Sequence, residues 1–529
     1  MSMSADVSPP VLLASLRGWE THLGRPLDEA AAERLRRSLG EGTLPRAFAA
    51  GAHARPGARV RVGVATITAA ELQDLVGRVA RLLAERHGFG RGDRVLVLSP
   101  SSLELVVGYL ALLHLGCTVT MANPAYRREE LLRLVRVAES RAVLAAAELA
   151  DSRLEGLAVD VVPLDPLIGQ ASQLERLEPA ELDSGDIAQI AFTSGTTSEP
   201  KGVPLTHAQL LSSVRGIVAA WHWRSEDVLV HALPLFHQHG LSGLHAALLS
   251  GSDLVVLPRF DPEELVAEVE RVAGTILFGV PSIYRRLLDA GLSDARARLS
   301  SLRLATCGSA PLSPALARDF RDQLGLRLLE RYGSTESGLN VSNVYGDSPV
   351  AGSVGLPLPG VEIAVARDGV VDLSGSGSGE VLLRGPQVFD GYLNASETTA
   401  DAFLPGGWFR TGDLGSIDED GRLTITGRLK ELIITGGMNV SPGEVEDVIA
   451  AYGGVADVAV SGIPDARWGE AVCAWVVPEA AAQIDPTSLM AHCRAHVADF
   501  KVPKRIFFVE DLPRNDMGKI QRSRLEVPA

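Results

Sequence analysis

The sequence predicts an α/β chain: a large N-terminal region of two α/β subdomains plus a β-barrel-like subdomain, then a small mobile α+β domain. Three observations carry this. Short apolar runs alternate with helical segments between residues 59 and 145, and again from Ile187 to about Tyr332, as in mostly parallel sheets covered by helices. After Gly352 the texture changes to short strands between glycine-rich turns. From about Lys430 a compact unit of two helices and two strands follows.

Taken in order, the first 50 or so residues are rich in Leu, Ala, Arg and Glu and read as helical. Arg59 to Thr66 reads as a strand. Thr68-Ala-Ala-Glu71 is a capping box that opens a helix to about His87. A turn at Gly90–Asp93 leads to a strand over Arg94–Leu98, and a helix follows over Leu103–Leu115. Thr118–Met121 reads as a strand, Glu129–Glu139 as a helix and Ala142–Ala145 as a strand. Later strands are expected at Ile187–Phe192, Leu326–Leu329, Val361–Ala366, Glu380–Arg384 and Leu423–Gly427. The run Ser374–Gly379 reads as a hairpin loop. In the last unit a helix begins near Ser441-Pro442, strands cover Val455–Gly462 and Ala471–Val477, and a helix covers Pro486–Ala498. The boundary is expected at Arg428–Lys430, giving domains 1–428 and 429–529.

Composition narrows the function classes. A net charge of −15 argues against binding to a nucleic-acid backbone, which needs a basic face. The most apolar stretch, Val95–Gly116, holds Ser99, Pro100, Glu104 and His114, so it reads as a soluble strand–helix pair and no membrane span is expected. The four cysteines are widely spaced without a CxxC pair. With no secretory pattern at Met1–Val7, this points to reduced thiols and a cytoplasmic location.

Four segments carry candidate chemistry. Thr193-Ser-Gly-Thr-Thr-Ser-Glu-Pro-Lys-Gly202 follows a buried strand. Its glycines and hydroxyls let donors approach phosphate oxygens, and Lys201 adds a point charge. The GxxxxGK[ST] spacing is absent, and a Ser/Thr-rich turn before a helix is the alternative. Arg331-Tyr-Gly-Ser-Thr-Glu-Ser337 groups an aromatic for stacking with a carboxylate for Mg²⁺; taken alone it is equally a polar loop. In Gly407–Asp413 a carboxylate at a strand end suits ribose hydroxyls, with Arg428 nearby for phosphate; a turn aspartate is the alternative. Pro513–Arg522 places Gly518 before Lys519, which suits a reaching ammonium or a solvated basic tail.

Together, in this order and spacing, the segments resemble the AMP-forming adenylating superfamily of acyl-CoA synthetases, peptide-synthetase adenylation domains and firefly luciferases. The resemblance runs from about residue 50 to the end. It implies ATP, Mg²⁺ and coenzyme A as cofactors. Thr193, Ser194, Gly195, Thr196, Thr197 and Lys201 would form the phosphate loop, which departs from the family's glycine at Ser198. Gly308, Ser309, Ala310, Arg331, Tyr332, Gly333 and Ser334 would line the nucleotide site, Tyr332 flanking adenine. Thr335 would contact the α-phosphate, Glu336 and Thr196 the Mg²⁺, Asp413 the ribose, and Arg428 ribose or phosphate. Lys519 matches the catalytic lysine, Lys430 the hinge, and Gly436, Gly437 and Met438 the coenzyme A tunnel.

The resemblance also implies the reaction: a carboxylate attacks the α-phosphorus of ATP, pyrophosphate leaves, and the acyl-adenylate passes to a thiol. Coenzyme A is the first choice of acceptor, a carrier protein or a nitrogen nucleophile such as an amine or nitrite the next, and a silent nucleotide-binding homologue the alternative of another class. The acid pocket is expected at His237, His239, Val280, Ser282, Gly308, Ser337, Gly338 and Asn340, with His237 also near the chemistry. Leu235–Gly240 and Lys501–Lys504 are similar to malonyl- and oxalyl-CoA synthetases. Arg259 and Arg286 are therefore candidates for a second carboxylate or are surface arginines, and an aryl or cinnamate-like acid is the rival.

Overall fold

The computed structural model describes residues 9–155, 159–193, 200–350, 352–435, 438–465, 468–480, 482–515 and 518–528. Two mostly parallel sheets form the larger part. In the first, nine-stranded sheet, Leu304–Cys307, Ile276–Gly279, Val228–His231, Asp253–Val256 and Arg59–Val62 lie side by side and parallel. The four strands other than Arg59–Val62 are buried at every residue, which is why they read as continuous apolar runs. Leu328–Ser334 continues the parallel set, and Gly338–Ser342 turns back antiparallel beside it.

The second sheet has six strands, ordered Asp160–Pro163, Ala142–Ala145, Arg94–Leu98, Thr118–Ala122, Ile187–Thr193 and Lys201–Thr206. Only the last pair is antiparallel. Most helices start where the sequence places a capping residue. Thr68 accepts from the Glu71 N–H while Glu71 accepts from the Thr68 N–H. Thr206 and Gln209 repeat the arrangement at His207–Ala220.

The third sheet, six-stranded and antiparallel, is the barrel-like subdomain; its long strand Trp408–Ile417 pairs with Leu423–Arg428. A single 3₁₀ turn, Leu429–Glu431, separates that strand from Ile433–Thr435, the first strand described in the fourth sheet. The fourth sheet packs on the helices Pro442–Ala450 and Pro486–His496 around its own core of Ile433, Val445, Ile449, Val460, Val476 and Leu489. Arg522 ties the C-terminal tail to both sides of this junction, bonding Glu431 and Glu446. No helix among the described residues is long and apolar enough to cross a membrane.

Several local expectations need correction. Residues 59–68 form a hairpin, Arg59–Val62 and Ala65–Thr68, because Gly63 takes φ +58°. Lys201 and Gly202 belong to a strand, and Arg331–Ser334 lie on a strand, not a loop. The Ser374–Gly379 run does not close a hairpin. Val370–Asp372 and Gly377–Arg384 flank Glu362–Arg367, so the run crosses the end of that strand.

The N-terminal helices are held by a buried carboxylate. Glu362, 1% exposed at its side chain, pairs with Arg36 of the helix Glu29–Leu39 and, at 2.7 Å, with Arg384. Arg36 lies over Trp19 and Arg384 over Trp408, so both guanidiniums are fixed. Removing one partner from a buried charge cluster costs about 3–5 kcal/mol. Both arginines keep some solvent here, so Glu362→Ala is expected at the lower end, about 3 kcal/mol in urea denaturation; a loss below about 1 kcal/mol would contradict this anchoring.

Candidate active site

The loops that follow the first sheet's parallel strands open on one edge, where ligands bind in open α/β sheets. They hold residues 232–237 after Val228–His231, 280–282 after Ile276–Gly279, and 308–313 after Leu304–Cys307. The third and fourth sheets bring Asp413, Arg428 and Lys519 to the same edge.

Asp413 is the meeting point. Antiparallel pairing sets it opposite Arg428, whose Nε lies 2.9 Å from Oδ1. The Tyr332 hydroxyl donates to Oδ2 at 2.6 Å. Burial, and then the Asp413 charge, push the Tyr332 phenol well up, so it keeps its proton and stays a donor. Asp413 is 7% exposed, and each oxygen retains a lone pair beyond these contacts. It sits inside a ten-residue strand, not at a strand end, beside the bulge between Leu414 and Gly415.

The phosphate-side elements converge separately. Thr193 and Lys201 face each other across the antiparallel strands; Ser194, Gly195, Thr196 and Thr197 lie outside the described residues. The Lys201 ammonium lies 5.0 Å from the centre of the Tyr392 ring, and the Tyr392 hydroxyl donates to Glu336 Oε1 at 3.1 Å. The Glu336 carbonyl accepts from the Phe389 N–H at 2.8 Å. Sequence reasoning missed Tyr392. Its one signal was an aromatic directly after the turn Phe389-Asp-Gly391.

The turn bearing Thr335 and Glu336 is held from below. Ser337 and Asn340 are fully buried. Asn340 donates to Ser337 Oγ at 2.8 Å and accepts from Gln387 at 3.0 Å, while Ser337 Oγ lies 2.9 Å from Ser334 Oγ. Both were expected in the acid pocket; their polar atoms are instead spent on the turn. Gly333 and Gly338 face each other closely across this hairpin.

On the other side of the hairpin, Gly308, Ser309 and Ala310 follow the strand Leu304–Cys307. His239 Nδ1 is 3.1 Å from Ser309 Oγ, and its Nε2 has no hydrogen-bond partner among the described residues. Burial, and then the nearby Arg331 charge, hold His239 far below its ordinary range, so it is neutral. Arg331 is buried beneath Gly308. A Cβ at Gly308 would lie 2.5 Å from Arg331 Nε, so only glycine fits there. Among the described residues, Arg331 Nε and Nη2 have no hydrogen-bond acceptor. Burial pushes the guanidinium down to about 10, which still leaves it charged at neutral pH. Arg259 follows the strand Asp253–Val256, and Arg286 lies on the helix Pro281–Asp289 that begins beside Val280. Both are exposed, and Arg286 lies 4.6 Å over Phe260. Aromatic stacking at the surface satisfies it without a buried anion.

Val280 and Ser282 stand at the start of the helix Pro281–Asp289, and here the C-terminal unit arrives. Asn515 and Lys519 exchange hydrogen bonds in a tight turn, the Asn515 N–H to the Lys519 carbonyl and the Lys519 N–H to Asn515 Oδ1, each 2.9 Å. Gly518, at φ +73°, seats this turn on Ser282; a Cβ would lie 2.5 Å from Ser282 Oγ. Lys519 is half-buried. Burial, and then Arg428, lower its pKa, while Glu431 and Asp413 oppose them, which places the ammonium in the field of the Asp413–Arg428 pair. Lys430 is exposed in the 3₁₀ turn, and Met438 begins a strand with its side chain 48% exposed. Gly436 and Gly437 lie outside the described residues. His237 precedes the helix Gln238–Ser250 and lines a cleft shared with Thr335, Phe192 and Phe236.

The comparisons agree with this arrangement. The chain is 37% identical, over 87% of its length and 93% of the relative's, to 3-[(3aS,4S,7aS)-7a-methyl-1,5-dioxo-octahydro-1H-inden-4-yl]propanoyl:CoA ligase of Mycobacterium tuberculosis. It is 34% identical to the oxalate–CoA ligase of Arabidopsis thaliana, with the same coverage of both chains. The ATP-bound crystal structure of MatB from Rhodopseudomonas palustris superposes with a TM-score of 0.84 at 35% identity, covering 91% of this chain and 98% of that one. Residues 48–393 match the AMP-binding enzyme family, and residues 444–519 match the C-terminal domain of AMP-binding enzymes. With two α/β sheets, a barrel-like subdomain and a C-terminal unit that brings Lys519 into the field of a buried aspartate, the chain belongs to the AMP-binding enzyme family.

Proposed function

We propose that this AMP-forming acyl-CoA synthetase activates a short dicarboxylate, whose distal carboxylate is taken up by Arg331. The observation that carries this reading is a buried guanidinium with two N–H groups lacking an acceptor, beside Gly308 and His239. An unpaired buried charge of this kind is costly, and a carboxylate is the acceptor that fits its fork. A relative named for oxalate supports the class of acid.

In this reading Asp413 receives the ribose hydroxyls of ATP on its remaining lone pairs, with Tyr332 and Arg428 holding it in place. Lys201 and the strand end at Thr193 face the β- and γ-phosphates. Glu336 offers a partly exposed carboxylate with one oxygen uncommitted, a hard oxygen donor suited to Mg²⁺ shared with phosphates. Mg²⁺, when bound, neutralises charge on the departing pyrophosphate. The proximal carboxylate of the acid attacks the α-phosphorus near Thr335, and Lys519 places positive charge where the pentacoordinate phosphorus gathers negative charge. Groups in that position are worth about 3–4 kcal/mol. The mixed anhydride then meets the thiol of coenzyme A. Residues 1–428 and 429–529 act as two domains hinged near Lys430, so that Lys519 leaves and the segment reaching Met438 enters for the second step. The buried, unpaired state of Cys117, Cys307, Cys473 and Cys493 fits a cytoplasmic enzyme.

A panel of acids in a pyrophosphate-release assay, with and without coenzyme A, tests the acid. Short dicarboxylates are expected to outperform monocarboxylates of equal length. Arg331→Met is expected to raise the KM for the dicarboxylate by about 30–150-fold, from a charge-assisted bond of about 2–3 kcal/mol, with the KM for ATP unchanged. Equal use of mono- and dicarboxylates, or an indifferent Arg331→Met, would overturn this assignment.

Lys519→Ala is expected to slow adenylate formation by about 10²–10³-fold while sparing thioester formation from supplied adenylate. Because the pKa of Lys519 is depressed, its charge is lost earlier as pH rises than that of an ordinary lysine. The adenylation rate should therefore fall on the alkaline side before the thioester rate does, and Lys519→Arg should move that fall to higher pH. Parallel alkaline profiles for the two half-reactions would contradict the assignment.

A further inference from the structure

One short segment, residues 388–393, joins the strand that carries Lys201 to the turn that carries Glu336. Its Leu393 N–H donates to the Gly202 carbonyl at 2.9 Å, and its Phe389 N–H donates to the Glu336 carbonyl at 2.8 Å. Gln209 clasps it from the helix His207–Ala220, donating to the Val388 carbonyl and to Asp390 Oδ2, each at 3.0 Å. Phe389 is buried against Phe403 and Phe409 of the third sheet. Tyr392 meets Phe389 edge to face, with ring centres 4.9 Å apart, and its own N–H donates to Thr399 Oγ1 at 2.9 Å. Its backbone and its ring are thus both held from the side of the barrel-like subdomain.

From that position Tyr392 touches two charged groups at once. Its ring lies against the Lys201 ammonium, 5.0 Å from the ring centre, and its hydroxyl donates to Glu336 Oε1 at 3.1 Å. Burial, and then the Glu336 charge, push the phenol up, so it keeps its proton and stays a donor. An ammonium and a carboxylate that share a neighbour attract each other and would pair. Here they do not: among the described residues no carboxylate pairs with Lys201. A cation against a ring face keeps its N–H donors for another acceptor, and a carboxylate that accepts one bond keeps its second oxygen. Tyr392 therefore fixes both charges and leaves each one able to bind.

We propose that Tyr392 is a positioning residue that keeps Lys201 and Glu336 from pairing and holds both for one triphosphate. Its ring presents the ammonium to phosphate oxygens, and its hydroxyl holds Glu336 by one oxygen and leaves the other to the metal ion. The inference rests on the reading of Lys201 as a phosphate contact and of Glu336 as a Mg²⁺ ligand. It gives the two halves of one side chain separable tasks. The ring acts on the nucleotide whether or not metal is present, and the hydroxyl acts only when metal is bound.

Calorimetric titration of the full chain with α,β-methylene ATP, which cannot be adenylated, separates the tasks when it is run once in EDTA and once in Mg²⁺. Tyr392→Phe keeps the ring and removes the hydroxyl. It is expected to bind the nucleotide in EDTA within about twofold of the wild type, and about tenfold more weakly than the wild type in Mg²⁺. Tyr392→Leu removes both and is expected to weaken binding in EDTA as well, by about fivefold. Wild-type Kd values for Tyr392→Phe under both conditions, or the same loss with and without metal in both variants, would overturn the positioning role; the second result is what a merely structural tyrosine gives. Lys201→Met and Glu336→Gln separate the two failures. If Lys201→Met binds normally in EDTA, or Glu336→Gln keeps the full effect of Mg²⁺, the underlying reading falls. If both lose as expected and Tyr392→Phe does not, the role of Tyr392 alone falls.

Discussion

The carboxylate of Asp413 is the constraint on which the rest of the site depends. It is buried, so its charge is tolerable only with partners. Those partners come from different sheets: Tyr332 from the first, Arg428 from the neighbouring strand of the third. The shared acceptor therefore fixes the barrel-like subdomain against the large parallel sheet. Arg428 is also the last residue of its strand before the 3₁₀ turn into the C-terminal unit, and Lys519 returns from that unit into the same field. One acidic group thus gathers Tyr332, Arg428 and Lys519 from three parts of the chain.

The cations of the site are kept apart by the same geometry. Lys201 lies over Tyr392, Arg331 packs under Gly308, and Lys519 rides on a turn seated against Ser282. The chain as a whole carries −15, yet its binding edge presents fixed positive groups, because charge at a site is set by which side chains the strands deliver and not by the total. Burial without a partner is the distinguishing state of Arg331. Where Arg36, Arg303 and Arg384 meet carboxylates, Arg331 has no hydrogen-bond acceptor for its Nε and Nη2 among the described residues. In the reading proposed above, that difference separates an arginine that holds the fold from one that takes up an anion.

Much of this was legible from residues alone, for reasons that are local. The Thr68 capping box is written in four consecutive residues, and buried strands such as Ala142–Ala145 are short apolar runs; both survive intact. The adenylating motifs were legible because each keeps its residues within a single turn or strand. What escaped depends on pairing across the fold. Lys201–Thr206 contains Pro204 and reads as a loop, but it is held as an edge strand by its partner Ile187–Thr193. Asn340 and Ser337 read as pocket residues because they are polar and near Glu336; only the contact with Gln387 reveals that they brace the turn. Arg259 and Arg286 were attractive as charges, and nothing in a sequence distinguishes an arginine over a partly buried Phe260 from one buried under a glycine. Tyr392 links Lys201 to Glu336 only after three separate segments have folded together.

The central claim is that Asp413 and Lys519 address the same nucleotide. A crystal structure with a non-hydrolysable acyl-sulfamoyl adenosine tests it most directly. The account predicts both ribose hydroxyls within hydrogen-bond distance of the Asp413 carboxylate and the Lys519 ammonium on the sulfamate that stands for the reacting phosphate. A complex in which the ribose lies away from Asp413, or in which Lys519 contacts no part of the ligand in any copy, would contradict it.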